Sequence, residues 1–146
     1  MKRQARSSRK DTPQQATCPE CWQTVQVHDN QTYFAHGKLR DQGQDPTWCS
    51  LSTRPIQPLF ALGHCVITVG AVDALQRANQ TPDALLKRHH HGDWGELPPE
   101  DAQANVRGVQ QDMRLLSAYP LSTGETIWII TEWDRSVSTL LLPDEY

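Results

Sequence analysis

Three cysteines and one histidine near the start of the chain stand at metal-ligand spacing. Cys18, Cys21, His36 and Cys49 form the pattern Cys-x2-Cys-x14-His-x12-Cys. Zinc takes four soft or borderline ligands in a tetrahedron, and a Cys3His set supplies them. The string Cys18-Pro19-Glu20-Cys21 predicts a tight knuckle that brings two thiolates to one ion. Four protein ligands leave no open position, so the expected zinc is structural. The competing reading is a set of unrelated buried cysteines. His28 is the other histidine in reach, but it falls beside a predicted turn. Cys65 lies in an apolar run and is expected to be a core residue.

A second group of polar residues lies far downstream. His89, Asp93, Glu96, Glu132, Asp134, Arg135 and Ser136 all fall at predicted element ends. A histidine and a carboxylate can act as acid and base while an arginine steadies a phosphate, which is the chemistry of metal-independent RNA cleavage. His89, Asp93, Glu132 and Arg135 are therefore the candidate catalytic residues. Each also has a plain structural explanation. Histidines in a last helical turn complement the helix dipole. Asp93 can cap the Gly-Asp-Trp-Gly turn while Trp94 anchors it, and Asp134-Arg135-Ser136 reads as a hairpin turn. His89, His91 and Asp93 are metal-capable, but at a spacing that matches no familiar site.

The elements that must position these groups follow from the pattern of the chain. Residues 1–16 are polar and aperiodic and are expected to be a disordered basic tail. Residues 17–50 form the zinc-binding module. Val25 and Val27 alternate with polar residues, Asp29-Asn30 turns, and Tyr33-Phe34-Ala35 returns, a hairpin that would carry His36. Residues 51–58 contain two prolines and read as a linker. Residues 59–146 form an α+β domain. Cys65-Val66-Ile67-Thr68-Val69 is a short β-prone run, followed by a helical face of Ala71, Val72, Ala74, Leu75 and Ala78. Thr81-Pro82-Asp83 starts a helix that ends at His89-His90-His91, with Gly92 at C′. A third helix starts at Leu97-Pro98-Pro99 and places Ala102, Val106, Val109 and Met113 on one face. The rest is a β-meander: Leu115 to Leu121, then Thr126 to Thr131, apolar on both sides and so central, then Val137 to Leu142. Helices followed by consecutive antiparallel strands imply helices packed on one face of a sheet.

Composition limits the classes of function. Only 37% of the 146 residues are hydrophobic and ten are proline, which fits a chain with tail or linker sections. Residues 1–55 carry eight Lys/Arg and five Asp/Glu, whereas residues 56–146 carry six and twelve. Lys2, Arg3, Arg6, Arg9 and Lys10 precede the first acid and offer a weak contact to nucleic-acid phosphate. The acidic second half repels phosphate and suits a protein partner with a basic face. No leader-like or membrane-spanning apolar run is visible, so a cytoplasmic protein without membrane contact is expected. In that compartment four cysteines favour metal over disulfides.

Two stretches resemble known families. Residues 17–50, with CPxC, a valine-rich hairpin, a histidine and Cys49-Ser50, resemble short zinc-ribbon-like modules of bacterial and phage proteins. Those modules commonly have glycine where this chain has Trp22, a position that often carries positive φ. The region from Leu59 to Tyr146 resembles a family of small uncharacterised proteins of plasmids and integrative elements. That resemblance is carried by Arg88-His89 with Gly92-Asp93-Trp94-Gly95-Glu96, by Leu115-Leu116-Ser117-Ala118-Tyr119, and by Trp128-Ile129-Ile130-Thr131-Glu132 through Asp134-Arg135-Ser136 to Leu140-Leu141-Leu142-Pro143. It implies a mobile-element setting and no named activity.

The expectation from sequence is a mobile-element accessory or interaction protein with a structural zinc, binding a host or element protein. The alternative is a small metal-independent ribonuclease using His89 and Arg135, by fold-level analogy with barnase-like enzymes.

Overall fold

Two clusters of apolar side chains organise the chain, one beneath a short hairpin and one between a sheet and two helices. The computed structural model describes residues 14–34 and 54–146. The described elements are β1 (Gln15–Thr17), β2 (Thr24–Gln26), β3 (His64–Ile67), α1 (Val69–Arg77), α2 (Pro82–His90), α3 (Pro99–Gln110), β4 (Leu115–Pro120), β5 (Thr126–Thr131), β6 (Val137–Leu141) and a final 3-10 turn, Pro143–Glu145. The architecture is mixed helix and sheet, as an α+β chain requires.

β4, β5 and β6 form the expected antiparallel meander, and β5 lies inside the sheet, whose order is β3-β6-β5-β4. The parallel pairing of β3 with β6 at the edge was not expected. It follows from the crossover through all three helices, which returns the chain to the far side of the meander. Ile127, Ile129, Leu140 and Tyr119 point to one face, where they meet Ala71, Ala74 and Leu75 of α1 and Leu85 and Leu86 of α2. Burying each large aliphatic side chain contributes about 1.5–3 kcal/mol.

The helix boundaries follow local chemistry. The strand run stops before Val69 because Thr68 caps α1, its hydroxyl accepting from the Ala71 N–H at 3.2 Å. α2 starts at Pro82 after Thr81, which has extended backbone but makes no side-chain capping bond. It ends at His90, with Gly92 at φ 76°. Of the apolar face expected on α3, Ala102, Val106 and Val109 are half-buried, whereas Met113 lies beyond the helix and is 51% exposed. The face that is fully buried instead carries Asn105 and Gly108. Cys65, expected in the core, is exposed because β3 is an edge strand with little covering it.

The N-terminal hairpin is tied to its surroundings more closely than the sequence suggests. β1 begins at Gln15, two residues inside the stretch expected to be a tail, and pairs with β2. The Thr17 N–H donates to His91 O at 2.8 Å, and its hydroxyl donates to Gly92 O at 2.8 Å. Part of the expected linker extends the hairpin: Thr32 bridges Pro55, the Tyr33 N–H donates to Arg54 O, and Ile56 packs beside Val25, Val27 and Tyr33. The prolines fit because each lacks only one donor and the segment lies at the margin of the small sheet. Residues 1–13 and 51–53, named in the expected tail and linker, lie outside the described residues.

Candidate functional site

The cysteine pair sits on a closed turn at the end of β1. The Cys18 N–H donates to Gln23 O at 2.9 Å and the Trp22 N–H donates to Cys18 O at 2.8 Å. These bonds fold residues 18–23 back on themselves, so Cys18 and Cys21 share one turn. Cys18 is buried and Cys21 half-buried. Trp22 has φ 59°, the left-handed backbone that its usual glycine counterpart adopts more readily. His36 and Cys49, the other two expected ligands, lie outside the described residues. Among the described residues no three His, Cys, Asp or Glu side chains gather at one point. His28 lies in the hairpin turn, where its ring stacks on Phe34 with centroids 3.6 Å apart.

His89 lies in the core at 0% exposure, with both ring nitrogens engaged. Its Nδ1 is 2.5 Å from Ser117 Oγ, and its Nε2 is 2.8 Å from Thr131 Oγ1. Thr131 Oγ1 is 2.7 Å from Ser138 Oγ, which donates to the Leu62 carbonyl at 2.6 Å. That last carbonyl can only accept, and this orients the whole chain of bonds. Ser138 donates to Leu62, Thr131 to Ser138, the His89 Nε2–H to Thr131, and the Ser117 hydroxyl to Nδ1. The neutral Nε2–H tautomer is thereby assigned from the network. Phe60 meets the His89 ring edge-on at 5.1 Å, and Trp94 does so at 5.8 Å. Burial, with the nearby positive charges of His90 and Arg135, lowers the His89 pKa to about 3. A ring so enclosed and neutral is a poor acid or base near pH 7.

Asp93 organises the turn after α2. Its carboxylate accepts from Arg88 at 2.7 and 3.3 Å and from the Gly95 N–H at 3.2 Å. The Arg88 guanidinium lies over the Tyr119 ring, 4.5 Å from its centroid, and the Tyr119 hydroxyl donates to Asp93 O. Gly95 has φ 72° and approaches Ala118 so closely that a β-carbon there would collide with the Ala118 carbonyl. The Gly-Asp-Trp-Gly string thus pins the end of α2 to β4, through a parallel bridge from Gly95 to Ala118.

Arg135 has φ 59° at the tip of the β5–β6 turn. Its guanidinium donates to Met113 O at 2.6 Å, Gly108 O at 2.9 Å and Glu132 O at 3.1 Å. It thereby ties the β5–β6 turn to the end of α3 and the turn after it, sharing the Gly108 carbonyl with the Met113 N–H. Asp134 accepts from the N–H and hydroxyl of Ser136, closing the turn. Glu132 is half-exposed and 3.4 Å from Arg114. His89 and Arg135 do approach one another, but across the Phe60 ring, whose centroid lies 5.6 Å from the guanidinium carbon. Asp93 and Glu132 each belong to a different ion pair.

Ser117, Thr131, Ser138 and Asn105 were not singled out from sequence. The three hydroxyls fall at inward-facing positions of their strands, between Leu115, Ile129 and Leu140. Polar residues at apolar strand parity are the signal that would have found them. An open cleft of about 200 Å³ lies between the hairpin and α2, lined by Val27, Ile56, Lys87, Arg88 and His91 among others.

Among the described residues no helix is long and apolar enough to cross a membrane. No protein-family model matches the chain, and no curated protein and no solved structure matches it either.

Proposed function

We propose that this chain is a non-enzymatic accessory or interaction protein of a mobile element, acting in the cytoplasm by binding a host or element protein. The observation that carries the reading is a set of large apolar side chains left at the surface of the acidic region: Val66, Met113, Trp133 and Tyr146 are 43, 51, 63 and 72% exposed. Aromatic residues and methionine are enriched at protein interfaces. The ribonuclease alternative gains no support from the geometry, since His89 is sealed and neutral and Arg135 already holds backbone carbonyls. The mobile-element setting rests on the resemblance of residues 59–146.

A structural zinc belongs to the same proposal. The closed Cys18–Gln23 turn fits the first two thiolates, and His36 and Cys49 would complete the set. Bound zinc would supply folding energy to a small hairpin with few core residues. The basic residues Lys2, Arg3, Arg6, Arg9 and Lys10 would add a weak, salt-sensitive contact to nucleic acid. The test is affinity purification of the full chain from its host with nuclease treatment, beside a Trp133→Ser, Met113→Ser double variant. A protein partner retained by the native chain and lost by the variant is the expected result. RNA turnover by purified protein, abolished by Arg135→Ala without unfolding, would overturn the reading.

A further inference from the structure

The two edges of the four-stranded sheet end differently. On β4, Asn105 bonds both backbone groups of Leu116, and the Trp94 carbonyl and Glu96 N–H bond those of Ala118. On β3 the ladder to β6 takes the His64 N–H to Ser136 O and the Thr68 N–H to Leu140 O. Backbone groups alternate sides along a strand. His64, Val66 and Thr68 therefore face β6, and the N–H and C=O of Cys65 and Ile67 face away from it. Among the described residues no group bonds these two donors and two acceptors. The strand is also open to solvent: His64, Cys65 and Val66 are exposed and Ile67 is half-buried. Native proteins commonly blunt such an edge with charge or proline. Here no Asp, Glu, Lys or Arg occurs between Arg54 and Asp73, and no proline between Pro58 and Pro82.

We propose that β3 pairs antiparallel with β3 of a second copy of this chain, about a two-fold axis at Val66, in a weak dimer. The register follows from the edge itself. With the axis at Val66, Cys65 of each copy stands opposite Ile67 of the other. Both are then hydrogen-bonding positions, so every outward donor and acceptor on the two strands is closed. The strand ends select an identical strand over a longer segment. Gly63, at φ 65°, turns the chain tightly against the Arg135 and Ser136 carbonyls, and Thr68 caps α1 at the other end. The open window is two outward residues long, which a second β3 matches completely. Self-pairing of an uncharged strand also sets no like charges opposite one another. α1 does not block the approach: Ala71, Ala74 and Leu75 pack inward with Ile127, Ile129 and Leu140 and leave Cys65 exposed. Ile67 joins the core side, so the Val66 side chains meet across the axis on the opposite face. Four residues of strand measure only about 13 Å and bury much less than the ~800 Å² per partner of a standard interface, so association is weak and concentration-dependent. Val66 belongs to this contact, and Met113, Trp133 and Tyr146 remain for the partner proposed above.

The test uses the full chain under reducing conditions. Sedimentation equilibrium from ~20 μM to ~1 mM should show a monomer–dimer equilibrium, weak as so small a contact requires. Over the same range, amide exchange at Cys65 and Ile67 should slow as the dimer forms, while His64 and Thr68, already bonded to β6, change less. Val66→Lys, with native circular dichroism, should weaken dimerisation roughly tenfold or more, because it sets two ammonium groups opposite each other. A disulfide reads the register. Across the axis the two position-66 α-carbons stand ~4.5 Å apart, within disulfide reach, whereas the two Cys65 α-carbons lie roughly 7–8 Å apart on the diagonal, outside it. Mild oxidation of a Cys65→Ser, Val66→Cys variant should therefore give a dimer bridged at position 66, located by peptide mapping. Oxidation of the native chain should give no bridge at Cys65. A monomer at ~1 mM, a dimer that Val66→Lys leaves intact, or a Cys65 bridge between native chains would each overturn the proposal. So would full protection of the Cys65 and Ile67 amides in the dilute monomer, which would mean that another part of the chain covers the edge.

Discussion

Asn105 and the backbone of Leu116 are joined by two hydrogen bonds. Asn105 Nδ2 donates to the Leu116 carbonyl at 2.6 Å, and the Leu116 N–H donates to Oδ1 at 3.1 Å. One side-chain amide thus takes the place of a neighbouring strand. Next along the same edge, the Ala118 N–H donates to Trp94 O and the Glu96 N–H donates to Ala118 O. The β4 edge is therefore closed, as exposed strand edges commonly are in native proteins. Asn105→Leu should cost about 2–3 kcal/mol, because two backbone groups lose their partners while the apolar replacement returns little. Urea denaturation checks this, and an unchanged midpoint would show that water serves the edge equally well.

The His89 network predicts a specific acid sensitivity. The folded-state pKa is lowered to about 3 from an ordinary 6.5. Below 6.5 the unfolded chain binds a proton that the folded chain refuses, so stability falls as pH drops from 6.5 toward 3. Above 6.5 both states are neutral and His89 contributes no pH dependence. The slope approaches about 1.4 kcal/mol per pH unit well below 6.5. His90 and His91, also lowered chiefly by burial, act in the same direction. His89→Gln should lower stability at pH 7.5 and remove part of the loss seen between pH 7.5 and 5. Denaturation midpoints of both proteins at the two pH values decide it, and identical pH dependence would place the sensitivity elsewhere.

Arg135 is expected to act as a clamp. With its donors on Gly108, Met113 and Glu132 carbonyls, Arg135→Ala should cost about 2–3 kcal/mol, in the range for bonds to a charged group plus exposure of their acceptors. The loss should be local first: amide exchange should accelerate at the end of α3 and in the β5–β6 turn before the core responds. Arg135→Lys should recover little, since one ammonium cannot match the planar fork.

Much of this fold could be read from local pattern. The meander declared itself through Leu115 to Leu121, Thr126 to Thr131 and Val137 to Leu142, and the end of α2 through Gly92. β3 was harder. Cys65, Val66 and Ile67 have the composition of a core strand, yet Cys65 and Val66 are exposed, because β3 is an edge strand whose parallel partner lies more than 70 residues away, and no local signal specifies that. The candidate site was legible only as residue types. His89 reads as an acid–base group until Ser117 and Thr131, distant in sequence, are seen to occupy both its nitrogens. Arg135 reads as a phosphate ligand until the carbonyls at the end of α3 are seen to engage it. Alternation does place the hydroxyls inward, so the polar core was visible in principle.

Trp22 offers a test of the cysteine turn that does not depend on where the remaining ligands lie. Its φ of 59° costs a residue with a β-carbon about 1 kcal/mol relative to glycine. Its half-buried side chain returns some of that through packing, so Trp22→Gly should change stability by less than about 1 kcal/mol. Its effect on metal should be clearer. A turn already closed by the Cys18–Gln23 and Trp22–Cys18 hydrogen bonds would need no bulky residue to form, so the variant should still hold one zinc per chain at unchanged or tighter affinity. Cys21→Ser should lose the metal, because it removes a thiolate from that turn. Zinc content of protein purified under reducing conditions, with competition against a chromogenic chelator, measures both variants. Metal-free native protein would remove the zinc proposal altogether. Zinc retained by Cys21→Ser would assign the site to other residues, and zinc lost by Trp22→Gly would show that the indole ring itself shapes the site.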